Sequence, residues 1–395
     1  MQKTFESMEE AIYKIERWCL VLGRLDDVLE MLCADGFEYR ELCTLAEIGT
    51  GKSDRKDSSE DGIYPFYVRS REVLRINTFE YDEEAIIIPG EGAIGEIFHF
   101  VSGKYALHQR AYRIHKKTSE INTKFLYYYM FSKFKSFIMQ KAVSATVTSI
   151  RKPMIEKFPI PIVPLEVQCE IVRILDNFTE LTAELTAELT ARKKQYGYYR
   201  NELFAYAKNI QMVTLDKIST NCDTQRKPVT SGSRVVGDIP YYGASGIVDY
   251  VKDYIFDGDY LLISEDGANL LARSTPIAFS VSGKVWVNNH AHVLKFEEYA
   301  TRRYVEMYFN AIDLSYYITG AAQPKLNQKN LNKIEIPLPA LEEQKRIVEL
   351  LDRFDALCND LSKGLPAEIE ARQKQYEYYR DKLLSFEELK DDRLS

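Results

Sequence analysis

Residues 157–181 read KFPIPIVPLEVQCEIVRILDNFTEL, and residues 333–357 read KIEIPLPALEEQKRIVELLDRFDAL. Aligned without gaps at an offset of 176, the two stretches are identical at 12 of their 25 positions. Farther along, RKKQYGYYRNEL at 192–203 matches RQKQYEYYRDKL at 372–383 at eight of 12 positions, now at an offset of 180. An internal duplication of this strength predicts two copies of one structural unit.

In each copy, a proline-rich strap leads into a long helix. The straps, PIPIVP and IPLP, cannot continue a helix, so the helices are predicted to begin near Leu165 and Leu341. Apolar residues then recur every three or four positions, at Ile171, Ile174, Leu175, Phe178 and Leu181 in the first copy and at Ile347, Leu350, Leu351, Phe354 and Leu357 in the second. The first helix, from about 165 to 207, would be about 65 Å long. Because a small domain is narrower than that, we expect the apolar stripe to pack on another long helix as a coiled coil.

The segments upstream of the straps also resemble each other, although more weakly. AIIIPGEGA at 85–93 faces YLLISEDGA at 260–268, and VSGK occurs at both 101–104 and 281–284. Short β-branched and aromatic runs between Gly, Asp and Ser turns indicate strands, followed by one helical stretch at 122–141 or 301–317. The sequence therefore predicts an α+β fold with two β-rich domains, each followed by a long helix. The predicted divisions are an N-terminal helical segment at 1–39, β-rich domains at 40–164 and 210–340, and helical spacers at 165–209 and 341–395.

Composition places the chain among ordinary globular proteins, with 45% hydrophobic and 28% charged residues. No apolar run is long enough for a membrane span, no secretory signal opens the chain, and six scattered cysteines indicate reduced thiols in a cytoplasmic protein. The net charge of −7 is unevenly distributed. Residues 40–164 hold 19 Lys and Arg against 15 Asp and Glu, and residues 210–340 hold 13 against 14. The overall acidity therefore does not exclude nucleic-acid binding by either β-rich domain.

Motifs for catalysis are weak or absent in the sequence. AEIGTGKS at 46–53 fits a relaxed P-loop, but the polar DRKDSSEDG after it is a poor helix start, so a flexible basic loop is favoured over a phosphate cradle. His290 and His292 would share one face of a strand, and a hydrogen-bonded strand histidine is favoured over a metal ligand because no third ligand lies near them in sequence. Neither nucleophile and zinc-protease motifs nor the loops of a DNA methyltransferase occur. The chain is therefore predicted to be non-catalytic and to bind no metal.

Two polar segments precede the straps, KAVSATVTSIRKPMIEK at 141–157 and GAAQPKLNQKNLNK at 320–333. Their basic, hydroxyl and amide side chains suit contacts with phosphates and base edges, although a polar surface loop remains the alternative for any one residue. Six tyrosines near the helix ends could stack on bases, but packing against a partner helix is favoured: Tyr196, Tyr198, Tyr199, Tyr376, Tyr378 and Tyr379.

The two near-identical helix starts, PLEVQCEIVRILD and ALEEQKRIVELLD, each after a variable domain, resemble the specificity subunit of type I restriction-modification systems. VLEMLCADGFEYREL at 28–42 also resembles the usual lead-in to the first domain of that family. The resemblance covers roughly residues 26–386, and residues 1–25 lie outside it.

The resemblance implies that each variable domain is a target recognition domain for one half of a split site in double-stranded DNA. It also implies that the long helices form an antiparallel coiled coil, which separates the domains and docks two methyltransferase subunits. Those subunits use S-adenosylmethionine to methylate adenine, while motor-endonuclease subunits add translocation and cleavage that depend on ATP and Mg²⁺. This chain itself would bind no cofactor, and its pseudo-twofold repeat would let two identical methyltransferases meet two different half-sites.

On this interpretation we expect the DNA contacts to come from basic, hydroxyl and amide side chains of both domains. The candidate residues are Lys52, Arg55, Lys56, Arg69, Arg71, Lys104, Arg110, Thr146, Ser149, Arg151, Lys152, Arg226, Lys227, Arg234, Lys284, Asn289, Gln323, Lys325, Asn327 and Lys329. Because the two domains differ in charge and sequence, the target is predicted to be asymmetric.

The tandem unit Thr-Ala-Glu-Leu at 182–185 and 186–189 is predicted to act as a spacer. It brings Leu181, Leu185 and Leu189 to four-residue spacing in a helix that is predicted to be unbroken, whereas the second copy has Gly364 and Pro366, which are expected to break its helix. Each unit adds about 6 Å and about 40° of rotation. The number of units would then set the unread gap between the two half-sites.

Three alternatives remain open from the sequence. The chain could be a self-contained enzyme, which the missing motifs disfavour, or a helical adaptor whose β-rich domains bind protein instead of DNA. It could also be the specificity subunit of a related system in which methyltransferase and nuclease form one chain. The sequence does not separate this last alternative from a type I complex.

Overall fold

The computed structural model describes residues 36–141, 149–206, 210–320 and 323–389. The chain divides into two compact units, the first running to Ala183 and resuming at Ala371, and the second spanning Glu184–Glu370. The strands in the described residues are β1 (Tyr39–Glu41), β2 (Ala46–Thr50), β3 (Tyr64–Tyr67), β4 (Leu74–Ile76), β5 (Tyr81–Pro89), β6 (His99–Leu107), β7 (Ala111–Lys116), β8 (Pro159–Pro161), β9 (Met212–Thr214), β10 (Thr220–Asn221), β11 (Val236–Gly243), β12 (Gly246–Val251), β13 (Phe256–Ser264), β14 (Ala278–Val287), β15 (Ala291–Lys295) and β16 (Glu335–Pro337). The helices are α1 (Leu42–Leu45), α2 (Thr123–Lys141), α3 (Lys152–Glu156), α4 (Leu165–Tyr206), α5 (Asn269–Ala272), α6 (Tyr299–Ala311), α7 (Gln328–Asn332), α8 (Leu341–Asn359) and α9 (Leu365–Leu383).

Each unit contains a six-stranded sheet of the same topology. The order is β2-β7-β5-β6-β3-β4 in the first unit and β10-β15-β13-β14-β11-β12 in the second. Neighbouring strands are antiparallel except for β3 with β6 and β11 with β14, which are parallel. A two-stranded ribbon, β1 with β8 or β9 with β16, joins the start of each domain to its proline-rich strap. The α+β prediction and the internal repeat are confirmed.

The central strand of each sheet is covered on both faces. In β5, Ile86 and Ile88 belong to the main core of the first unit, whereas Ala85 and Ile87 face a smaller cluster on the other side of the sheet. Strand β13 repeats this pattern, with Leu261 in the main core of its unit. Continuous burial explains why these strands read as unbroken apolar runs in the sequence.

One helix from each variable domain packs between the sheet and the next long helix along the chain. In the first unit, Phe125 and Phe134 of α2 share the core with Ile171 of α4. In the second unit, Tyr304 of α6 shares the core with Ile347 of α8. These shared cores explain the apolar stripes of the two long helices.

Helix α6 ends earlier than the predicted 301–317. It stops at Ala311, and residues 315–317 form a separate 3₁₀ turn. The side chain of Asn310 accepts hydrogen bonds from the backbone of Ile277 and Ala278, and Asp313 binds the backbone of Ser315. These two side chains fasten the chain to β14 and begin the new turn, so the helix does not continue.

A buried glutamine explains why PLEVQ and ALEEQ recur at the helix starts. Gln168 donates to the carbonyl of Val163 at 2.7 Å, and Gln344 donates to that of Pro339 at the same distance. Both side chains are buried. Each glutamine therefore satisfies a strap carbonyl that the helix cannot reach, and it fixes the angle between strap and helix.

The first long helix is unbroken, as predicted. Helix α4 contains 42 residues, which corresponds to about 63 Å. In the first unit, the ring of Phe178 lies 5.8 Å from that of Tyr379, and in the second unit Tyr199 lies 6.0 Å from Phe354. The start of α4 thus pairs with the chain after residue 371 and its end pairs with α8, so the helices form an antiparallel coiled coil. Helix packing therefore accounts for Tyr199 and Tyr379, as predicted. The same prediction was wrong for Tyr198 and Tyr378, which point away from the helix contacts and are mostly exposed.

The second long helix is interrupted, also as predicted. Helix α8 ends at Asn359, α9 begins at Leu365, and Gly364 donates to the carbonyl of Asp360 in the turn between them. A Cβ at Gly364 would lie 2.6 Å from the carbonyl oxygen of Ala356. Pro366 is tolerated because it occupies the first turn of α9, where its missing N–H has no helical partner to lose.

The first unit is completed by the chain after α9. Leu384 is fully buried in the main core of that unit, where Phe386 packs against it. Leu389 and Phe37 are joined by a backbone hydrogen bond, and the ring of Phe386 lies 5.2 Å from that of Phe37. The beginning and the end of the described chain therefore share one core.

The remaining sequence predictions have mixed outcomes. The predicted N-terminal helical segment, 1–39, lies outside the described residues except for 36–39, where Phe37 forms a β-bridge and Tyr39 begins β1 instead of a helix. The four cysteines within the described ranges, Cys43, Cys169, Cys222 and Cys358, are free thiols. Among the described residues, no helix is both long and apolar enough to cross a membrane.

Candidate nucleic-acid interface

Three segments meet at one end of the second sheet, where β13 ends. Glu265 donates its N–H to the carbonyl of His290 at 2.9 Å, and its own carbonyl accepts from Leu326 at 2.7 Å. Asp266 forms a β-bridge with Lys325. We call residues 265–267, 288–290 and 323–327 the second turn edge. It carries the exposed predicted residues Asn289, Gln323 and Lys325.

A dense ion-pair network lies beneath the second turn edge. Arg226 binds Glu265 at 2.6 Å, Lys325 reaches the same carboxylate at 3.0 Å, and His292 binds Asp223 at 2.6 Å. Burial alone would raise the pKa of Asp223 and of Glu265. Hydrogen bonds from His292 to Asp223, and from Arg226 and Lys325 to Glu265, outweigh it and lower both pKa values below their usual range. Both carboxylates are therefore charged at neutral pH.

The first sheet has the same arrangement at the end of β5. Gly90 donates to the carbonyl of Arg110, and Ile150 donates to that of Gly90, both at 2.9 Å. Glu91 forms a β-bridge with Ser149. We call residues 90–92, 108–110 and 149–151 the first turn edge. The two edges correspond in chain order, because Glu91 aligns with Asp266 in the AIIIPGEGA and YLLISEDGA stretches.

The charged groups of the first turn edge differ from those of the second. Glu91 binds Arg69 at 2.7 Å and Arg110 at 3.2 Å, and all three side chains are substantially exposed. The hydrogen bond and charge of Arg110, with a smaller contribution from Arg69, lower the pKa of Glu91. Ser149 and Arg151 stand exposed beside this group. Glu91 of the first turn edge thus holds two arginines, Arg110 within the edge and Arg69 beside it. The second turn edge instead presents lysine and amide side chains.

Backbone geometry shapes both edges in the same way. Gly92 has φ of 89° and Gly267 has φ of 101°, in the left-handed region that favours glycine. A Cβ at either position would meet no atom within 4 Å, so the glycines serve the turn conformation and do not relieve crowding.

The segment around the P-loop-like motif flanks the first turn edge. Residues 46–50 form β2, and the N–H groups of Lys52 and Ser53 donate to the Glu80 carboxylate at 2.9 and 3.1 Å. The prediction of a flexible loop was therefore wrong: the backbone here is held by a strand and a carboxylate. Only a 3₁₀ turn, containing Arg55 and Lys56, comes after it. The N–H groups of Lys52 and Ser53 are thus not available to a phosphate, and the motif does not open an α-helix.

The carbonyl of Ser53 accepts from the N–H of Gln109 at 3.0 Å, which places this segment beside the turn that holds Arg110. In the second unit, Lys227 has the equivalent position, since its N–H donates to Val287 and its carbonyl accepts from Trp286. The side chains of Lys52, Arg55, Lys56 and Lys227 are exposed along the flanks of the two turn edges.

Two arginines predicted to contact DNA instead bind partners within the second domain. The Arg226 side chain is 13% exposed, and besides Glu265 it binds the carbonyl of Ala291 at 2.8 Å. Arg234 binds Asp249 at 2.9 Å and lies over the ring of Tyr241. Internal roles account for both guanidinium groups, so a DNA contact is no longer expected from them.

Asn327 also has an internal role, because its side chain caps α7 by accepting from the N–H of Asn330 at 2.9 Å. Lys104 and Lys284 lie far from the turn edges, over the rings of Phe79 and Tyr254. They pair across strands with Asp82 and Asp257, seven residues from the ends of β5 and β13, or about 25 Å. The structure therefore does not bring these two lysines together with the other candidates.

The remaining candidates are exposed near the edges or lie outside the described part. Arg71 follows β3, Lys152 begins α3 and Lys329 lies on α7, all three exposed. Thr146 lies outside the described residues. The spacer residues Leu181, Leu185 and Leu189 are half-buried along α4.

The sequence did not predict the carboxylates Glu91, Glu265 and Asp266 as site residues. Their signal was present, because the acid-Gly-Ala ending recurs in the two aligned central strands. The expectation of a hydrogen-bonded strand histidine is confirmed at His292. It was wrong for His290, which lies in the turn before β15 and pairs with Asp266 at 2.9 Å. Asp223, Glu265 and His292 lie close enough to hold a metal ion. Their donor atoms, however, are bound to one another and to Arg226, Lys325 and a backbone carbonyl, so the charges are already balanced within the cluster.

Comparison with known proteins assigns both variable domains, each with its helix, to one family. The family described as type I restriction modification DNA specificity domain matches residues 34–192 and 207–371, one match for each variable domain and its helix. The chain belongs to this family.

Relatives carry the same description. The EcoR124I/EcoR124II specificity subunit of Escherichia coli is 34% identical over 258 residues, which are 58% of this chain and 63% of that protein. The EcoprrI specificity subunit of Escherichia coli is 31% identical over 308 residues, which are 71% of this chain and 74% of that protein. A relative from Haemophilus influenzae is 38% identical over 184 residues, but the match spans only 47% of its length.

Solved structures share the fold. The S subunit of a type I restriction-modification system from M. genitalium matches with a TM-score of 0.54 and 17% identity, covering 90% of this chain and 97% of that one. A chain from a type I R-M assembly matches with a TM-score of 0.57 and 14% identity, covering 88% and 97%. The two-domain architecture with long helices is therefore common to this chain and to S subunits.

Proposed function

We propose that this chain is the DNA-recognition subunit of a type I restriction-modification complex and reads an asymmetric, bipartite site. The observation that carries the proposal is the pair of turn edges. Two sheets of identical topology present different side chains at the same place, two arginines around Glu91 in one and lysine with amides in the other. Two domains with the same fold but different side chains at their turn edges can recognise two different DNA sequences. A pseudo-twofold axis between the domains would let identical partner subunits bind beside each one.

In this proposal, recognition domains at 40–164 and 210–340 contact double-stranded DNA, and the helical spacers at 165–209 and 341–395 hold them apart. Arg69, Arg110 and Arg151 would contact one half-site, while Asn289, Gln323 and Lys325 would contact the other. Arginine binds guanine in a bidentate manner and amides bind adenine, so different tips favour different bases. Exposed lysines on the flanks would add contacts with phosphates.

The chain would work without a catalytic group of its own. Two methyltransferase subunits using S-adenosylmethionine, and motor-endonuclease subunits using ATP and Mg²⁺, would supply the chemistry in the cytoplasm. Tyr198 and Tyr378 support a shared docking surface for identical partners, because they occupy equivalent positions on the two long helices and are 62% and 63% exposed. Exposed tyrosines of this kind are typical anchors in protein interfaces.

The test is methylation sequencing of DNA exposed to the chain assembled with its methyltransferase subunit. We expect methylated adenines in one bipartite motif with two different halves. Exchange of residues 210–340 for the corresponding domain of another family member should then replace one half of the motif and leave the other unchanged. Replacement of both halves, or methylation independent of this chain, would contradict the proposal.

A further inference from the structure

We propose that His292 is a positioning residue that sets the recognition segment 323–327 and thereby the discrimination at one half-site; this inference rests on the proposed function. His292 lies on β15 with no exposed surface. Its Nδ1 lies 2.6 Å from the Asp223 carboxylate, and its Nε2 lies 2.7 Å from the carbonyl oxygen of Leu326. The histidine therefore joins the sheet directly to the segment that carries Gln323 and Lys325.

The two partners of the ring fix its orientation. The Leu326 carbonyl can only accept a hydrogen bond, so Nε2 is the donor in that contact. Nδ1 faces the Asp223 carboxylate at 2.6 Å. A hydrogen bond that involves a charged group in a buried site is stronger than one between neutral, exposed groups.

Asp223 is itself immobilised on the sheet side of this link. It accepts from the N–H of Val293 at 2.8 Å and from the amide of Asn221 at 3.1 Å, and Arg226 lies 3.4 Å away. Glu265, the other charged group near the ring, lies 3.8 Å from Nδ1 and is bound by Arg226 and Lys325. The His292 ring thus lies between two fixed carboxylates and one backbone carbonyl.

On the other side, the link fixes the backbone that carries the exposed tips. Leu326 donates its N–H to Glu265 and gives its carbonyl to His292, so both polar groups of this residue are bound. Lys325 exchanges two backbone hydrogen bonds with Thr319, at 2.7 and 2.8 Å. With His292 removed, the Leu326 carbonyl would be buried without a donor, which favours displacement of the segment.

In the first domain, the residue at the same sheet position also binds a backbone carbonyl of the recognition segment, but through a longer hydrogen bond. Tyr112 pairs with Ile88 as His292 pairs with Ile263, and its hydroxyl lies 3.4 Å from the carbonyl oxygen of Ile150. Ile150 in turn donates to Gly90 as Leu326 donates to Glu265. Each domain therefore holds one carbonyl of its recognition segment from this strand position, by a long phenol contact in the first and a short imidazole hydrogen bond in the second.

The test uses the full chain assembled with its methyltransferase subunit and compares His292→Gln with His292→Asn. The amide nitrogen of Gln lies near the place of Nε2 and can still donate to Leu326, whereas that of Asn lies near Nδ1 and can donate only to Asp223. The measurement is kcat/KM for adenine methylation on cognate DNA and on DNA with single substitutions in each half-site. The domain exchange assigns the half-site read by the second domain.

We expect His292→Asn to lower the ratio of cognate to substituted DNA about tenfold in the second domain's half-site, as for a buried carbonyl left without its hydrogen bond. His292→Gln should retain most of the ratio, and neither variant should change it in the other half-site. Tyr112→Phe is the matched control, expected to act only on the first domain's half-site and by a smaller factor.

Equal losses for Gln and Asn, or equal losses at both half-sites, would overturn the role of His292, since a general loss of stability has no half-site preference. Thermal unfolding of both variants identifies such a loss directly. Failure of the proposed function would look different, because the unsubstituted complex would then show no dependence on a bipartite motif.

Discussion

The Glu265 carboxylate binds two cations from distant parts of the chain, Arg226 before β11 and Lys325 after α6. The Arg226 and Glu265 side chains are only 13% and 11% exposed, whereas Lys325 is half exposed. Loss of the carboxylate charge would leave a largely buried guanidinium without an anion. The free energy cost of a buried, unpaired Arg226 guanidinium therefore makes Glu265 important for stability. The more exposed ion pair with Lys325 contributes little.

We therefore expect Glu265→Gln to lower the free energy of unfolding of the second unit by about 3 kcal/mol. Urea unfolding of the full chain, followed through Trp286 in that unit, measures the change. Asp266→Asn is the matched control, because its partner His290 is half exposed, and its effect should stay below about 1 kcal/mol. Equal effects of the two substitutions would show that the buried ion-pair network contributes no more to the free energy of unfolding than the exposed pair does.

The same carboxylates predict how stability depends on pH. The folded-state pKa values of Asp223 and Glu265 are lowered, although burial acts against ionisation at both. Their contribution is therefore complete above the ordinary carboxyl pKa, about 4, and is lost as pH falls through the lowered folded values. The stability difference between the unsubstituted chain and Glu265→Gln should be constant from pH 7 to 5 and shrink below pH 4. A difference that grows on acidification would contradict these assignments.

The sequence could not reveal this network, although it revealed both histidines and Arg226. Arg226 follows β10 and Glu265 follows β13, and the two residues meet because both of these strands pair with β15. Strand order of that kind is a tertiary property that local patterns do not encode. The recurring Glu91 and Asp266 were visible, but acids beside glycine are also ordinary turn residues.

At the level of elements, the two long helices use glycine in opposite ways. Gly197 lies inside α4, where a Cβ would meet no atom within 4 Å. Gly364 lies in the turn between α8 and α9, where a Cβ would crowd the carbonyl oxygens of Ala356, Asp360 and Leu357 at 2.6 to 2.9 Å. The first glycine is thus a cost to its helix, and the second is required by close backbone approach.

Gly197→Ala should stabilise the second unit by about 1 kcal/mol, because it removes the helix penalty of glycine. Gly364→Ala should destabilise the same unit by about 1–3 kcal/mol through overpacking against backbone. Both substitutions add the same methyl group within one unit, so urea unfolding compares them directly. The interpretation of the α8–α9 turn would be wrong if Gly364→Ala also stabilised the chain.

Helices and straps were predictable because their signals are local. The apolar stripe of α4, the prolines of the straps and the glycine–proline break after α8 act over a few residues and appear in the structure at the expected positions. The end of α6 was not predictable, since Asn310 stops the helix by binding backbone of β14. The hydrogen bonds of Ser53 similarly depend on Glu80, which is distant in sequence.

At the scale of the whole molecule, the boundary between the two compact units passes through the tandem repeat. The units divide at Ala183 and Glu184, inside the first Thr-Ala-Glu-Leu unit. Among the described residues, Leu181, Leu185 and Leu189 belong to neither main core. The helix can therefore change length here without repacking of either variable domain.

Deletion of residues 186–189 should shorten the unread gap of the DNA target and leave both half-sites unchanged. The deletion shortens α4 by about 6 Å and rotates the remainder of the helix by about 40°, while one base pair advances DNA by about 3.4 Å. Methylation sequencing with the shortened chain measures the gap. A changed half-site sequence at an unchanged gap would contradict the role of the repeat as a spacer.

The joining of Phe37 to Leu389, with Leu384 buried beside them, has a consequence for the order in which the chain folds during synthesis. The second unit is continuous from Glu184 to Glu370, so all of its residues have left the ribosome before the first unit can close. The first variable domain is synthesised earlier, but its core is incomplete until the segment after Ala371 has been made. A chain that ends before that segment would leave the ribosome with a complete core in its second variable domain and an incomplete core in its first.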